Sequence, residues 1–325
     1  MNVMKIIKFV GLVFCASIQA IDYFDFPYHV RRVYQDEVPW NYVDFDESMQ
    51  SSEFSHIIYR DKTEQLVGTA GLALIDFFKK QYEQLNFLRI FPEPAARIPK
   101  VIHQIWIGDS VPQELIQFKE SWKRYHPDWE YKLWTQHDIP YLNLYNKKLI
   151  EEAKNPAELS DLLRYEILYQ YGGVYIDMDF ECLQPLDVLH HAYDFYIGIQ
   201  PLDTGLVQLG IGIIGASPGH PLLKKCIESL EENYKNEKLK DTLTAKTGPI
   251  HVTKIFKKYA GTTGMRDVAL PVHYFYPLGS TRVTLHKEKW TKQGSFGIHH
   301  WAKTWNKPHY RRPEFRSIQG WGTLL

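Results

Sequence analysis

Residues 157–179 read AELSDLLRYEILYQYGGVYIDMD, and they confine the chain to a layered architecture. Asn155, Pro156 and Glu158 stand where an N-cap, a first-turn proline and a capping-box acid belong. Gly172 stands where a left-handed stop is expected. Between these bounds Leu159, Leu162, Leu163, Ile167 and Tyr171 recur at three- and four-residue spacing, which predicts an apolar helical stripe. Asp161, Arg164 and Tyr165 group off that stripe and predict a polar patch facing away from the core. Directly after the double glycine, Val174-Tyr175-Ile176 is a β-branched and aromatic run that reads as a buried strand. A bounded helix feeding such a strand requires helices layered on a sheet, an α/β arrangement.

The strand is expected to end in Asp177-Met178-Asp179. Alternation along an extended chain places both carboxylates on one face, where they repel unless a cation lies between them. Mg²⁺ or Mn²⁺ suits that pair, because such ions bind through one or two carboxylates and complete their shell with water and substrate phosphate oxygens. A cation so held, with Arg164 near it, would stabilise charge on a departing diphosphate. Each residue has a plainer alternative. An Asp-x-Asp also suits a solvated loop, and Asp161 with Arg164 at i, i+3 suits a surface ion pair contributing about 0–1 kcal/mol. Trp106 ends the apolar run Val101–Ile107 and suits either a core position or a stacking platform.

The surrounding pattern agrees with α/β. A strand over VIHQIWIG, a helix over Pro112–Tyr125 and a strand over Tyr131–Trp134 form a strand-helix-strand unit, and Pro221–Tyr234 reads as a further helix. Around Leu209–Gly215, three glycines fit either a bulged strand or a close backbone approach to a ligand. With 38 basic and 38 acidic residues, the charge balance offers no field for nucleic acid or anionic lipid. Residues 1–20 have the layout of a secretory signal, with Lys5 and Lys8 before an apolar run and Ala20 at a cleavage position, and also suit a short signal-anchor. Either would carry the rest of the chain out of the cytosol and allow membrane association at the N-terminus. Residues 21–97 read as an extension or stem whose Thr63–Leu88 stretch is helical in spacing and either packs on the main domain or helps hold an acceptor. Residues 98–325 read as the catalytic domain. After the leader Cys182 and Cys226 remain, and two cysteines permit a disulfide without requiring one.

From about Ile98 to Trp305 the chain resembles the Asp-x-Asp glycosyltransferases typified by the yeast initiating α-1,6-mannosyltransferase. The matching stretches run in order: Ile98–Trp106, Ser121-Trp122, Pro127–Tyr131 with Trp134, Ser160–Tyr165, Tyr171–Asp179, Pro218–Pro221, Thr247-Gly248-Pro249, and His299-His300-Trp301 with Trp305. The resemblance implies a GT-A type, Rossmann-like nucleotide-sugar fold with a mixed central sheet, and retention of anomeric configuration. It implies that Trp106 stacks on the donor's base, that Asp161 and Arg164 bind its sugar, and that Asp177 and Asp179 bind metal and diphosphate. His299, two residues before the tryptophan, is then favoured over His300 as a further metal ligand; Trp301 and Trp305 would close over the donor and Lys303 would touch phosphate. Family members often carry an Asn in the 209–215 stretch where this chain has Ile and Gly, so one sugar contact does not carry over. The expectation is a metal-dependent hexosyltransferase, in particular a mannosyltransferase, acting on a glycan, lipid or protein hydroxyl. A catalytically idle nucleotide-sugar or glycan-binding module is the alternative, against which the intact Asp161, Arg164, Asp177 and Asp179 argue. An aspartyl-phosphate phosphohydrolase would want Thr where Glu181 stands.

Overall fold

The computed structural model describes residues 44–49, 63–85, 95–239, 242–279 and 294–302. The chain divides into Met1–Val38 and Pro39–Leu325, and the first unit, with the leader expected at 1–20, lies outside the described residues. The elements in chain order are α1 (Phe45–Met49), α2 (Thr63–Gln84), β1 (Val101–Ile105), α3 (Gln113–Tyr125), β2 (Glu130–Trp134), α4 (Lys147–Glu151) and α5 (Pro156–Tyr171). There follow β3 (Gly173–Ile176), β4 (Phe180–Cys182), α6 (Asp187–Ala192), β5 (Phe195–Ile199), β6 (Leu209–Ala216), α7 (Pro221–Glu228) and α8 (Leu230–Lys235). Then come α9 (Leu243–Lys246), α10 (Pro249–Tyr259), β7 (Asp267–Leu270) and β8 (Gly297–His299).

Six strands form one sheet in the order β2-β1-β3-β6-β5-β7, and β4 pairs with β8 in a second. The large sheet is mixed: β1 runs parallel to β2 and β3, β6 antiparallel to β3 and β5, and β7 parallel to β5. The α/β class and the mixed central sheet expected from the sequence are both present. β3, β5 and β6 are buried along their whole length, which is why they read as unbroken apolar runs rather than alternating ones.

Helix α5 begins and ends where its signals stand. Asn155 accepts from the Glu158 N–H at 3.0 Å with Pro156 in the first turn. Gly172 terminates it at φ 63°, where a Cβ would also run into Pro218 and Pro99. Two expectations need correction. The helix is buried nearly all round, so Asp161, Arg164 and Tyr165 do not form a patch outside the core, and Tyr171, expected on the apolar stripe, is 38% exposed. The helix is enclosed by the sheet and α7 along the stretch that carries Asp161, Arg164 and Tyr165, which leaves those residues no solvent face. Glu158 also departs from the capping box: its carboxylate accepts from the Lys154 N–H at 2.8 Å and pairs with Lys246 at 2.8 Å.

The helix expected over Pro221–Tyr234 is two, α7 and α8, separated at Ser229, whose hydroxyl donates to the Lys225 carbonyl at 2.7 Å and competes with the helical ladder. Helix α2 breaks at Gly68 (φ 67°) and packs on the domain through Phe78, 5.9 Å from Phe256, and the Tyr82 hydroxyl, 2.8 Å from that of Tyr274. Cys182 and Cys226 are both free and buried, not paired.

Candidate metal and donor site

The strand β3 stops at Ile176, one residue before the acidic pair. Asp177 leaves the strand and Met178-Asp179 form a turn closed by the Phe180 N–H on the Asp177 carbonyl at 3.1 Å. The carboxylates are therefore brought together by a turn, not by alternation along an extended strand as expected. The turn is needed because β4 must begin at Phe180 to pair with β8.

That pairing brings in the third group. Register sets His299 opposite Phe180 across the small sheet. Its Nε2 lies 3.0 Å from Asp179 Oδ1 and 3.9 Å from Asp177 Oδ2. His300 faces the other way, with Nε2 3.0 Å from Glu181 and its ring stacked on Phe118 at 4.2 Å. Trp301 takes the left-handed conformation (φ 51°), and the Ala302 N–H then donates to Asp179 Oδ2 at 2.7 Å. Burial alone would raise the Asp179 pKa, but the His299 imidazole and the Ala302 N–H hold it down at about 2. Burial opposes the His299 cation, yet Asp179 and Asp177 raise its pKa above the ordinary value.

The donor atoms of Asp177, Asp179 and His299 all lie within 4.8 Å of one another. Neighbouring ligands around a small divalent ion held at about 2.1 Å stand roughly 3 Å apart. His299 and Asp179 meet that spacing at 3.0 Å, and Asp177, 3.9 Å from His299, would close in for all three to share one ion and leave its other positions to other oxygens.

Arg164 joins this cluster to α5. Its Nη1 lies 3.3 Å from Asp177 Oδ1 and donates to the Ile211 carbonyl at 2.6 Å, while Nη2 lies 3.0 Å from Asp161 Oδ1. The guanidinium sits over the Tyr175 ring at 4.4 Å, and the Tyr175 hydroxyl donates to Asp177 Oδ1 at 2.7 Å. Burial works against the cation, but Tyr175, Asp177 and Asp161 more than offset it and keep Arg164 charged. Asp161 is pushed up to about 6 by burial, with Arg164 and Thr247 acting in the other direction. The Thr247 hydroxyl donates to Asp161 Oδ2 at 2.9 Å. Asp161 and Arg164 thus form a buried pair, not the surface pair that their spacing also suits.

The carbonyl that Arg164 uses comes from an irregularity in β6. Register with β5 jumps from Ile197↔Ile214 to Gly198↔Gly210, so residues 211–213 have no partner in β5. Gly212 accepts the Asp177 N–H at 2.7 Å, and a Cβ there would come within 2.9 Å of Asp177 Oδ2. Gly210 and Gly212 also make room for Tyr276, which sequence reasoning missed. Tyr276 is buried, with its ring 5.7 Å from His299 and 5.8 Å from Trp301. Its signal was the Gly-x-Gly spacing, which leaves one face of a strand bare for a large ring.

Trp106 lies one residue beyond β1, half-buried, with its indole N–H donating to the Asp109 carbonyl at 3.1 Å. Trp301 packs on His299 at 4.3 Å and donates to the Leu278 carbonyl at 3.2 Å. Trp305 and Lys303 lie outside the described residues. Among the described residues no helix is long and apolar enough to cross a membrane.

Comparison with known proteins bears on the same segment. The chain is 33% identical over 175 residues to inositol phosphoceramide mannosyltransferase 2 of Schizosaccharomyces pombe, covering 50% of this chain and 47% of that protein. It is 32% identical to mannosyl phosphorylinositol ceramide synthase CSH1 of Saccharomyces cerevisiae, covering 54% of this chain and 48% of that one. The chain spans about half the length of these curated relatives. Human alpha-1,4-N-acetylglucosaminyltransferase is 24% identical, covering 58% of this chain and 54% of that protein. The solved PaToxG glycosyltransferase superposes with a TM-score of 0.44 at 19% identity, covering 59% of this chain and 79% of that one. Residues 215–318 match the alpha 1,4-glycosyltransferase conserved region. Residues 112–196, with the Asp177–Asp179 turn among them, match the glycosyltransferase sugar-binding region containing the DXD motif.

Proposed function

We propose that residues 98–325 are the catalytic domain of a metal-dependent, retaining glycosyltransferase. It has a GT-A type fold and moves a hexose from a nucleotide-diphosphate sugar to a glycan, glycolipid or protein hydroxyl. The observation that carries this reading is the convergence of Asp177, Asp179 and His299 beside a buried Arg164–Asp161 pair. The mannosyltransferase relatives, named for inositol phosphoceramide, favour mannose as the sugar and a glycolipid as the acceptor. The signal-like layout of residues 1–20 favours a site of action outside the cytosol.

In this mechanism Asp177, Asp179 and His299 would hold Mn²⁺ or Mg²⁺, which supplies Lewis-acid stabilisation of the charge that develops on the leaving diphosphate. Every other element is protein. Arg164 is a cation fixed by a carbonyl, two carboxylates and an aromatic face, so it presents charge to a phosphate without reorganising. Asp161 keeps acceptor capacity on both oxygens after its bonds to Arg164 and Thr247, and that capacity suits sugar hydroxyls. Trp106, half-exposed beside β1, offers a ring for the base, and Trp301, packed on His299, would close over the donor. No protein nucleophile is assigned to the retaining step.

The test is purified protein incubated with Mn²⁺ and a panel of UDP- and GDP-hexoses, read as released nucleotide. Turnover of one donor, abolished by chelation and by Asp179→Ala, supports the reading. No transfer or hydrolysis of any donor, with metal-dependent nucleotide binding unchanged in Asp179→Ala, sinks it.

A further inference from the structure

The stretch Thr247-Gly248-Pro249 enters the mechanism above only as a bond to Asp161, yet it is tied at several points to the edge of α5 that carries that residue. Three side chains on that edge, Glu158, Asp161 and Tyr165, all attach to two consecutive residues of the α9–α10 junction. Glu158 pairs with Lys246 Nζ at 2.8 Å. Asp161 Oδ2 accepts the Thr247 hydroxyl at 2.9 Å, and the Tyr165 hydroxyl donates to the Thr247 carbonyl at 2.8 Å. Thr247 is fully buried, so its side chain and its peptide are both held within the protein.

The neighbouring backbone is shaped to allow this. A Cβ on Gly248 would meet Thr244 Cα at 2.9 Å and would stand 3.5 Å from Asp161 Oδ2. The first contact is too close for a side chain, so one there would distort the α9 turn at Thr244, while the second is ordinary contact. The Thr247 hydroxyl has a second acceptor in reach, the Leu243 carbonyl at 3.3 Å, but a hydroxyl has one proton and the shorter bond to a carboxylate oxygen is the stronger.

The consequence lies in what orients Asp161. With Arg164 on Oδ1 alone, the carboxylate could rotate about its terminal torsion, which is broad and roughly two-fold. A second donor on Oδ2, anchored from another element, removes that freedom. We infer that Thr247 is a positioning residue for donor-sugar recognition: its hydroxyl sets the orientation of the Asp161 carboxylate, and through it the affinity for the sugar half of the donor. This rests on the glycosyltransferase reading given above and adds to it a residue that touches no substrate itself.

The inference separates sugar from nucleotide, which a purely structural role would not do. In the presence of Mn²⁺, calorimetric titration of the donor that is turned over is compared with titration of its nucleoside diphosphate. Thr247→Val and Thr247→Ala both delete the hydroxyl, and the variant whose melting temperature stays nearer the wild type is used. It should bind the nucleotide sugar roughly tenfold or more weakly while binding the nucleoside diphosphate as the wild type does, since the lost bond is to a charged acceptor. Thr247→Ser should restore sugar-nucleotide affinity. In an Asp161→Asn background, loss of the hydroxyl should add little. Unchanged nucleotide-sugar affinity, equal weakening of both ligands, failure of Ser to rescue, or failure of both deletion variants to fold would each overturn the inference. If the wild type binds no nucleotide sugar, the glycosyltransferase reading falls on its own. The orienting bond is then judged by denaturant unfolding of Thr247→Val, Asp161→Asn and the double variant: non-additive losses retain it and additive losses overturn it.

Discussion

Two polar clusters among the described residues are built on opposite principles. The first is the ionic group of Asp161, Arg164, Asp177, Asp179 and His299. The second is an aromatic file of Trp122, His126, Trp129, His190 and Tyr196, with successive ring centroids 4.3–5.8 Å apart. In the second, every imidazole nitrogen is satisfied within the protein. His126 Nε2 accepts the Leu186 N–H, so its Nδ1 carries the proton and donates to the Trp122 carbonyl. His190 Nδ1 donates to the Ile98 carbonyl and Nε2 accepts the Tyr196 hydroxyl. Both rings are neutral, and burial pushes His126 down to about 4 and His190 well below its ordinary value. The first cluster crowds three carboxylates around one guanidinium and one imidazole. Buried polarity alone does not mark a site; crowded carboxylates with unused acceptor capacity do.

The comparison breaks most sharply at Asp179. Asp179→Ala should lower turnover by on the order of 10³-fold and abolish metal-dependent nucleotide binding, measured by donor hydrolysis and titration. Wild-type turnover in that variant would mean the ionic cluster is as closed as the aromatic one. The next effect runs through pH. The folded His126 excludes a proton that the unfolded chain binds near 6.5, so its stabilisation is complete above that value and is lost as pH falls toward 4. At pH 5 this amounts to about 2 kcal/mol. His190, shifted the same way, adds to the loss. Urea unfolding at pH 7.5 and 5.0 measures it, and equal stability at both would show that the file is not neutral and closed.

Trp106→Ala should weaken nucleotide binding roughly tenfold, as loss of one stacked base does, and leave the melting temperature nearly unchanged. Equal loss of both would make Trp106 a core residue. The smallest effect is expected at His300, which bonds Glu181 and stacks on Phe118 away from the acids. His300→Gln should cost under about 1 kcal/mol of stability and leave Mn²⁺ affinity intact. His299→Gln should lose that affinity, and identical metal binding by the two variants would reverse the assignment.

Much of this was legible beforehand for a local reason. The cap at Asn155 and the stop at Gly172 are set by residues within four positions, and the β3 run by the chemistry of three adjacent side chains. The preference for His299 over His300 rested on the resemblance, and alternation along an extended segment only separates the two rings. The turn at Met178 was not legible, since it is imposed by where β4 must start to meet β8. Nor was the break at Ser229, where a single hydroxyl outweighs a continuing helical pattern.

From the sequence alone came the α/β frame and the bounds of the helix that precedes the acids, because short-range sterics, caps and alternation act between near neighbours. Tertiary structure alone decided that Asp161 and Arg164 are buried, that Arg164 takes a carbonyl 47 residues away and that Asp161 takes a hydroxyl 86 residues away. It also brought His299 to Asp179 across 120 residues of chain. Those contacts depend on how α5, the β6 bulge, the α9–α10 junction and β8 pack together, and no pattern confined to one segment encodes that packing.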